Sequence, residues 1–341
     1  MATIDDIARI CGVSKSTVSY VLNDNREKVG ADTRERVLQA MRDMNYRPAQ
    51  VRRAAPTPEH LSIGITAGVP GGYAEINGYF HEMVNALLQV IDELDEDAHL
   101  FSSRLYRSDP NLSIRTYCDG RCDGLIIIAP PIGLPIIESL RERGFPFLLL
   151  GSSDDDDRVT SVDMANADSA RMATRELLDY GHTRIAWVGG HAGSGSSLQR
   201  ERGFVEEMRA QGHEVDPADV VSVNADFDAA YHWVRQQLER PAGERPTAFL
   251  CFNDVTAMKA MDAARDARLT VPGDISVIGF DDHNASQASP PLTTVRQPYM
   301  EMCRLAVDLL REMILGDHLP VRHEAFPGIL IRRNSVARPR K

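Results

Sequence analysis

Residues 3–23 read TIDDIARICGVSKSTVSYVLN, and they carry two short helical patterns separated by a turn. Thr3 and Asp6 have the spacing of a capping box, so a helix is predicted to begin there. Apolar residues then recur at helical spacing, at Ile4, Ile7, Ala8 and Cys11. A glycine breaks this pattern, and Ser14 is placed to cap a second helix over residues 15–22. Two short helices joined by a tight turn predict a helix-turn-helix.

The second predicted helix has one apolar face and one polar face. Val18, Val21 and Leu22 share the side that would pack on the first helix. The other side carries polar groups that can reach base edges or phosphates, namely Lys15, Ser16, Ser19 and Tyr20. A third helix, predicted from about residue 32 to residue 45, would close a three-helix core of DNA-binding size. A plain helical bundle without a DNA role is the alternative.

Charge is divided unevenly along the chain. The 341 residues carry 38 Lys and Arg against 49 Asp and Glu, a formal net charge of −11. Residues 1–60 carry 10 basic and 8 acidic residues, net +2, and the remainder carries 28 against 41, net −13. An acidic body cannot approach phosphates closely, so the small N-terminal module is where DNA would bind.

The N-terminal segment resembles the headpiece of the LacI/GalR family of bacterial transcriptional repressors. Four ordered pieces carry the resemblance: TIDDIA at 3–8, GVSKSTVSYVLN at 12–23, TRERV at 33–37 and NYRP at 45–48. The resemblance implies that Lys15, Ser16 and Tyr20 read bases in the major groove. It also implies contacts with phosphates by Ser14, Thr17, Ser19 and Asn23. The headpiece is therefore predicted over residues 1–47.

Residues 48–60 are similar to the family's hinge and linker, which in many members inserts a leucine into the minor groove of the operator. Here Ala55 stands where that leucine is usual, and Pro56 follows it. An alanine side chain is too small to separate two base pairs, so we expect only a modest bend in the DNA. Arg52 and Arg53 would still hold the minor groove electrostatically.

From residue 61 the chain alternates short apolar runs with helical patterns. The runs are LSIGITAG at 61–68, GLIIIAP at 124–130, FPFLLLG at 145–151, RIAWVGG at 184–190, TAFLCFND at 247–254 and ISVIGFDD at 275–282. This alternation predicts α/β architecture with doubly wound parallel sheets, and the length suits two similar subdomains. The whole chain is thus expected to be an α+β protein, an all-α headpiece joined to an α/β effector domain.

Polar residues follow several of these runs. Asp163, Asn253 with Asp254, and Asp281 with Asp282 stand at or near predicted strand ends, and the loop after residue 190 leads to Arg200. Ligands of such folds bind outside the carboxyl ends of the strands. Carboxylates, an amide and a guanidinium around one cleft suit a polyhydroxylated ligand. The alternative for each acid is that it only caps the next helix.

The family resemblance extends over the body, whose counterpart in the family is akin to periplasmic sugar-binding proteins. Its motifs include RERGF at 200–204, FND at 252–254, VPGDISVIGFDD at 271–282 and PLTTVRQP at 291–298. It implies an effector-binding domain at 61–341, with an N-subdomain at about 61–163 plus 292–322 and a C-subdomain at about 164–291 plus 323–338. The effector-binding residues it implies are Tyr79, Phe80, Asp163, Arg200, Phe227, Asn253 and Asp281.

Other classes of protein have weaker support. The glycines at 189–195 lack the Lys-Ser or Lys-Thr of a phosphate loop, and the nucleophile-elbow and dinucleotide motifs are absent, so an enzyme is not expected. The ten His and the acids at 154–157 are not spaced as metal ligands, so no metal or cofactor is expected. Five scattered Cys indicate reduced thiols.

Together these features predict a homodimeric repressor in the cytoplasm, since the sequence carries neither a membrane-spanning run nor an export signal. Two headpieces related by a two-fold axis would bind a pseudo-palindromic operator. A small molecule in the cleft would change operator affinity by preferring one arrangement of the subdomains. A sugar is the expected effector and a purine the alternative. A cytoplasmic sugar- or nucleoside-binding protein or enzyme on the same fold is the alternative function.

Overall fold

The computed structural model describes residues 3–22, 25, 28–44, 60–67, 78–101, 114, 116–152, 158–224, 226–316 and 320–340.

The headpiece consists of three helices, α1 (Ile4–Cys11), α2 (Lys15–Leu22) and α3 (Ala31–Asp43). The predicted capping box is present, because the side chains and backbones of Thr3 and Asp6 bond reciprocally. Ser14 caps α2 as predicted, its hydroxyl accepting from the backbone N–H of Thr17 at 3.0 Å. Apolar side chains from all three helices form one buried core, with Ile7, Val18 and Val37 fully enclosed. The sequence therefore predicted this part of the fold correctly.

The described part of the body contains seven further helices and twelve strands. The helices are α4 (Gly78–Glu93), α5 (Pro135–Glu142), α6 (Asn166–Asp179), α7 (Gly195–Ala210), α8 (Phe227–Leu238), α9 (Asp254–Asp266) and α10 (Tyr299–Leu315). The strands are β1 (Ser62–Ala67), β2 (Asp97–Phe101), β3 (Gly124–Ile128), β4 (Phe147–Leu150), β5 (Ser161–Met164), β6 (Ile185–Gly189), β7 (Val220–Ser222), β8 (Ala248–Cys251), β9 (Ser276–Asp281), β10 (Thr293–Arg296), β11 (His323–Phe326) and β12 (Ile329–Ile331).

The strands form two six-stranded sheets, one in each subdomain. The first has the order β11-β5-β4-β3-β1-β2 and the second the order β12-β10-β9-β8-β6-β7. Neighbouring strands run parallel except for β12, which is antiparallel to β10. Strands such as β3 and β9 are buried throughout their length because helices cover both faces of a parallel sheet. The two doubly wound subdomains that the alternation predicted are present.

The predicted subdomain boundaries are wrong near the C-terminus. β10 pairs with β9 and belongs to the second sheet, although the expected N-subdomain includes residues 292–322. β11 pairs with β5 in the first sheet, although the expected C-subdomain includes residues 323–338. The chain therefore crosses between subdomains after β5, after β10 and between β11 and β12. Strand pairing decides these crossings, and short strands carry no sequence signal for their partner.

Helices α6 and α7 pack unusually closely in the C-subdomain. Gly203 of α7 faces α6, and a Cβ added there would lie 2.2 Å from the carbonyl oxygen of Ala167. Phe204, the next residue, stacks on Trp187 with ring centres 6.0 Å apart, and both rings are fully buried. The glycine therefore allows α7 to approach α6 closely, and Phe204 then fills the core beside it.

Replacing Gly203 by alanine is expected to lower the free energy of unfolding by about 1–3 kcal/mol, because the methyl group forces the two helices apart. Urea unfolding of the full chain measures this change. Gly243→Ala is the control, since a Cβ there has no atom within 4 Å. Equal midpoints for wild type and the Gly203 variant would contradict the close packing.

Candidate functional site

The structure places the predicted base-reading residues on one side of α2, here called the reading face and defined as Lys15, Ser16 and Tyr20. Lys15 and Ser16 are exposed and Tyr20 is half-buried. Val18 and Val21 on the opposite side are buried in the headpiece core. The amphipathic pattern of the sequence therefore turns this polar side outward.

Two of these residues already have partners on the headpiece itself. The ammonium of Lys15 lies 2.5 Å from Asp5 Oδ1, and both side chains are more than half exposed. The ammonium of Lys28 lies over the Tyr20 ring at 4.9 Å from its centre, a cation–π contact. Exposed ion pairs are weak, so this pair leaves the Lys15 ammonium available to another partner.

The residues predicted to contact phosphates and the minor groove divide into two groups. Ser14 and Thr17 share a hydroxyl–hydroxyl hydrogen bond of 2.8 Å at the start of α2, and Ser19 is half-buried farther along it. The others, Asn23, Arg52, Arg53 and Ala55, lie outside the described residues. Their predicted roles remain predictions.

Arg200, Asp163 and Asp281 come together in one polar network between the two subdomains. Arg200 Nε donates to Asn166 Oδ1 at 2.8 Å, and Asn166 Nδ2 donates to Asp163 Oδ2 at 3.0 Å. Arg200 Nη1 lies 4.0 Å from Asp281 Oδ1, which also accepts from Gln297 Nε2 at 2.7 Å. Three residues that the sequence placed in one cleft are thus neighbours in the structure.

Two aromatic rings and a backbone carbonyl fix the guanidinium of Arg200. Its central carbon lies 4.5 Å from the ring centre of Phe280 and 5.0 Å from that of Phe252. Its Nη1 donates to the Phe252 carbonyl oxygen at 2.6 Å. The side chain is only 4% exposed, so these contacts replace most of its water.

Tyrosines lie beside this network. The Tyr79 and Tyr299 rings are 6.0 Å apart, and the Tyr299 hydroxyl donates to the Asp281 carbonyl oxygen at 3.4 Å. Burial raises the pKa of Tyr79 well above its ordinary value, and the charges of Asp163 and Asp281 raise it further. The Tyr79 hydroxyl therefore gives up its proton less readily than that of an exposed tyrosine.

Two buried carboxyls of the C-subdomain have raised pKa values. Burial raises the pKa of Asp281, and the nearby Arg200 guanidinium opposes this rise. The pKa of Asp254 is raised well above its usual range, chiefly by burial and then by Asp281. These carboxyls are held among hydrogen-bond donors with little water.

Several strand-end residues have partners within the protein, and the one that caps a helix is the amide Asn253 rather than an acid. Asn253 caps α9, its side-chain oxygen accepting from the Thr256 N–H at 2.9 Å. Asp254 accepts from Thr294 Oγ1 at 2.5 Å, and Asp282 pairs with Arg333 at 2.6 Å. Each of these three residues therefore contributes to the structure of the C-subdomain, and the predicted effector contact of Asn253 remains a prediction.

The predicted aromatic residues differ in their surroundings. Phe80 is 5% exposed and belongs to the hydrophobic core. The centre of its ring lies 5.5 Å from that of Tyr79. Phe227 is half-buried at the first position of α8, behind the capping residue Asp226. The rings of Phe252 and Phe280 contact the Arg200 guanidinium, and the packing of the predicted rings on a ligand remains a prediction.

Sequence reasoning missed Asn166, Gln297 and Tyr299 as members of the network. Asn166 begins α6, directly after a crossing between subdomains, and the other two follow β10 at another crossing. The usable signal is position, because polar side chains next to the crossing segments lie between the two sheets.

No helix in the described part of the chain is long and apolar enough to cross a membrane. Within the same residues there is no cluster of three or more His, Cys, Asp or Glu suited to a metal ion.

Two family models match the chain. The model for bacterial regulatory proteins of the lacI family matches residues 3–49, and that for a periplasmic binding protein-like domain matches residues 174–336. The first covers the three-helix headpiece, and the second covers most of the C-subdomain and part of the N-subdomain.

Similar proteins align over nearly the entire chain. The ribose operon repressor of Escherichia coli is 31% identical, with 98% of this chain and 100% of the repressor covered. The HTH-type transcriptional repressor PurR of Photobacterium profundum is 30% identical, with 98% of each chain covered. Both relatives are named as repressors.

Solved structures agree with these sequence relationships. A complex of the transcriptional regulator CelR with cellobiose has a TM-score of 0.74 at 26% identity and covers 98% of this chain and 100% of its own. The lac repressor dimer bound to operator and an anti-inducer has a TM-score of 0.72 at 28% identity, covering 98% and 99%. The chain therefore belongs to the LacI family of bacterial regulatory proteins and is a transcriptional regulator with a helix-turn-helix headpiece and an effector-binding domain.

Proposed function

We propose that this regulator acts as a homodimeric repressor whose operator affinity is controlled by a sugar bound beside Arg200. The observation that carries the proposal is the Asp163–Asn166–Arg200–Asp281 network between the subdomains. A ligand bound there touches both subdomains, so it favours one relative arrangement of the two. We place the protein in the cytoplasm, where a repressor meets its operator.

The chemistry of the network favours an uncharged polyhydroxylated effector over an anion. Arg200 already donates to Asn166 and to the Phe252 carbonyl, whereas Asp163 and Asp281 provide carboxylate oxygens that accept from hydroxyl groups. The ribose operon repressor and the CelR–cellobiose complex, both similar to this chain, are named for sugars. The purine alternative has less support, because a purine base offers these carboxylates fewer donors than a sugar does.

Screening by thermal shift tests the class of effector. Ribose, cellobiose, other mono- and disaccharides, and purines are each added to the purified chain, and a ligand at about 100 times its dissociation constant adds about 2.7 kcal/mol of stability. We expect a shift from a sugar. A shift from purines alone would contradict the sugar assignment.

Lys15→Ala is expected to weaken binding to the operator by about tenfold and to relax the preference at one base pair, because a base contact is lost. The measurement is a gel shift on a duplex that the wild-type protein selects from random DNA. Lys259→Ala is the control, since that lysine lies on α9 of the body and pairs with Asp228. Equal weakening on selected and random DNA would make Lys15 a phosphate contact.

Arg200→Ala is expected to leave operator affinity within about twofold and to raise the effector concentration needed for a response by at least about tenfold, since charged hydrogen bonds are lost. Operator binding with the screened sugar measures both quantities. Arg202→Ala is the matched control, because this side chain on the same helix is 62% exposed. Arg200→Lys keeps the charge and serves if the alanine variant fails to fold. A wild-type response from both Arg200 variants would refute this site.

A further inference from the structure

The headpiece contacts the N-subdomain at the end of α5. Arg143, the residue after α5, donates from Nη1 to the Leu22 carbonyl oxygen at 3.0 Å. Arg42 of α3 donates from Nη1 to the Glu142 carbonyl oxygen at 3.1 Å. Arg34 of α3 lies 3.9 Å from the Glu142 carboxylate. These contacts are outside both the reading face and the Arg200 network.

In each of the two arginine–carbonyl bonds, an arginine of one part of the molecule, headpiece or body, donates to the last carbonyl of a helix in the other part. Leu22 is the last residue of the recognition helix α2, and Glu142 is the last residue of α5. The final carbonyls of a helix have no partner within that helix, and a positive charge is favourable there. Arg143 of the body therefore caps α2 of the headpiece, while Arg42 of the headpiece caps α5 of the body. We call these two bonds the reciprocal caps.

The reciprocal caps leave the reading face accessible. The Arg34 side chain, on the docked side, is 20% exposed, whereas the Lys15 side chain is 66% exposed. Ser16 is also exposed. The headpiece is thus held in an orientation in which α2 remains free to meet DNA.

The opposite end of α5 is near a contact between the two subdomains. Ile132 lies three residues before α5 begins, and its N–H donates to the Gly193 carbonyl oxygen of the C-subdomain at 2.9 Å. The eight residues of α5 span about 12 Å at the usual helical rise. One short helix therefore lies between this contact of the two subdomains and the headpiece.

We propose that α5 is a regulatory link that docks the headpiece through the reciprocal caps and passes subdomain movement to it. The link is separate from the hinge at 48–60, where Ala55 replaces the family's usual leucine. Docking orders the headpiece before it meets DNA, so less ordering remains to be done on binding. Its role in repression rests on the proposed function, but the docking itself does not.

Limited trypsin digestion without DNA tests the docking, because Arg52 and Arg53 provide cleavage sites between headpiece and body. Arg143→Ala and Arg42→Ala are each expected to speed release of the headpiece by about fivefold, because each variant loses one ordinary hydrogen bond. Arg143→Lys keeps a charged donor and is expected to restore most of the protection. Arg209→Ala, on the exposed surface of α7 in the C-subdomain, is the control. Wild-type release from both alanine variants would overturn the proposal.

A second measurement tests whether the link regulates DNA binding. On the duplex selected by wild type, Arg143→Ala is expected to bind about fivefold more weakly. A sugar found by thermal shift is expected to change headpiece release in wild type but not in the Arg42→Ala/Arg143→Ala double variant. Unchanged operator affinity and an unchanged sugar effect in these variants would overturn the regulatory role. If wild type selects no DNA sequence, the proposed function fails, and the digestion still decides the docking.

Discussion

Burial of the Arg200 guanidinium constrains which groups can surround it at the centre of the effector domain. Removing a charge from water is expensive unless the protein supplies hydrogen bonds and a counter-charge. Asn166, the Phe252 carbonyl and Asp281 supply them, and they come from α6, the end of β8 and the end of β9. Both strands belong to the second sheet, and α6 packs on α7 in the same subdomain. Arg200 is therefore satisfied within the C-subdomain, and the hydrogen bond from Asn166 to Asp163 connects it with the N-subdomain.

In the proposed function, the same network determines which ligands the protein accepts. An anion would meet Asp163 and Asp281 as well as a guanidinium that is already bonded. The proposed neutral polyol instead donates its hydroxyl groups to these carboxyl groups. Burial raises the pKa of Asp281. An uncharged hydroxyl group beside this carboxyl group does not require it to gain or lose a proton. Charge balance thus supports the proposed uncharged effector over an anion.

Local patterns in the sequence predicted the three headpiece helices and six of the strands because capping residues and periodicity act within a few positions. They also predicted that Arg200, Asp163 and Asp281 would meet. They failed where distant pairing decides the outcome. β10 and β11 are four residues each and pair with strands that no local pattern identifies. Likewise, Asn253 caps α9 because its side chain accepts from the N–H of Thr256. Tyr299 joins the network because its hydroxyl, at the start of α10, donates to the Asp281 carbonyl oxygen at the end of β9.

The reciprocal caps are weak individually, and this weakness suits regulation. A hydrogen bond between protein groups contributes about 1 kcal/mol net, so two such bonds favour the docked headpiece by roughly a factor of 30. An equilibrium of this size responds to a small displacement of α5, because lengthening one of the two bonds beyond hydrogen-bonding distance removes half of the free-energy preference. A large apolar interface would hold the headpiece too firmly for a ligand to move it. Polar caps at two helix ends fix the orientation of the docked headpiece, while the docked and undocked states remain close in free energy.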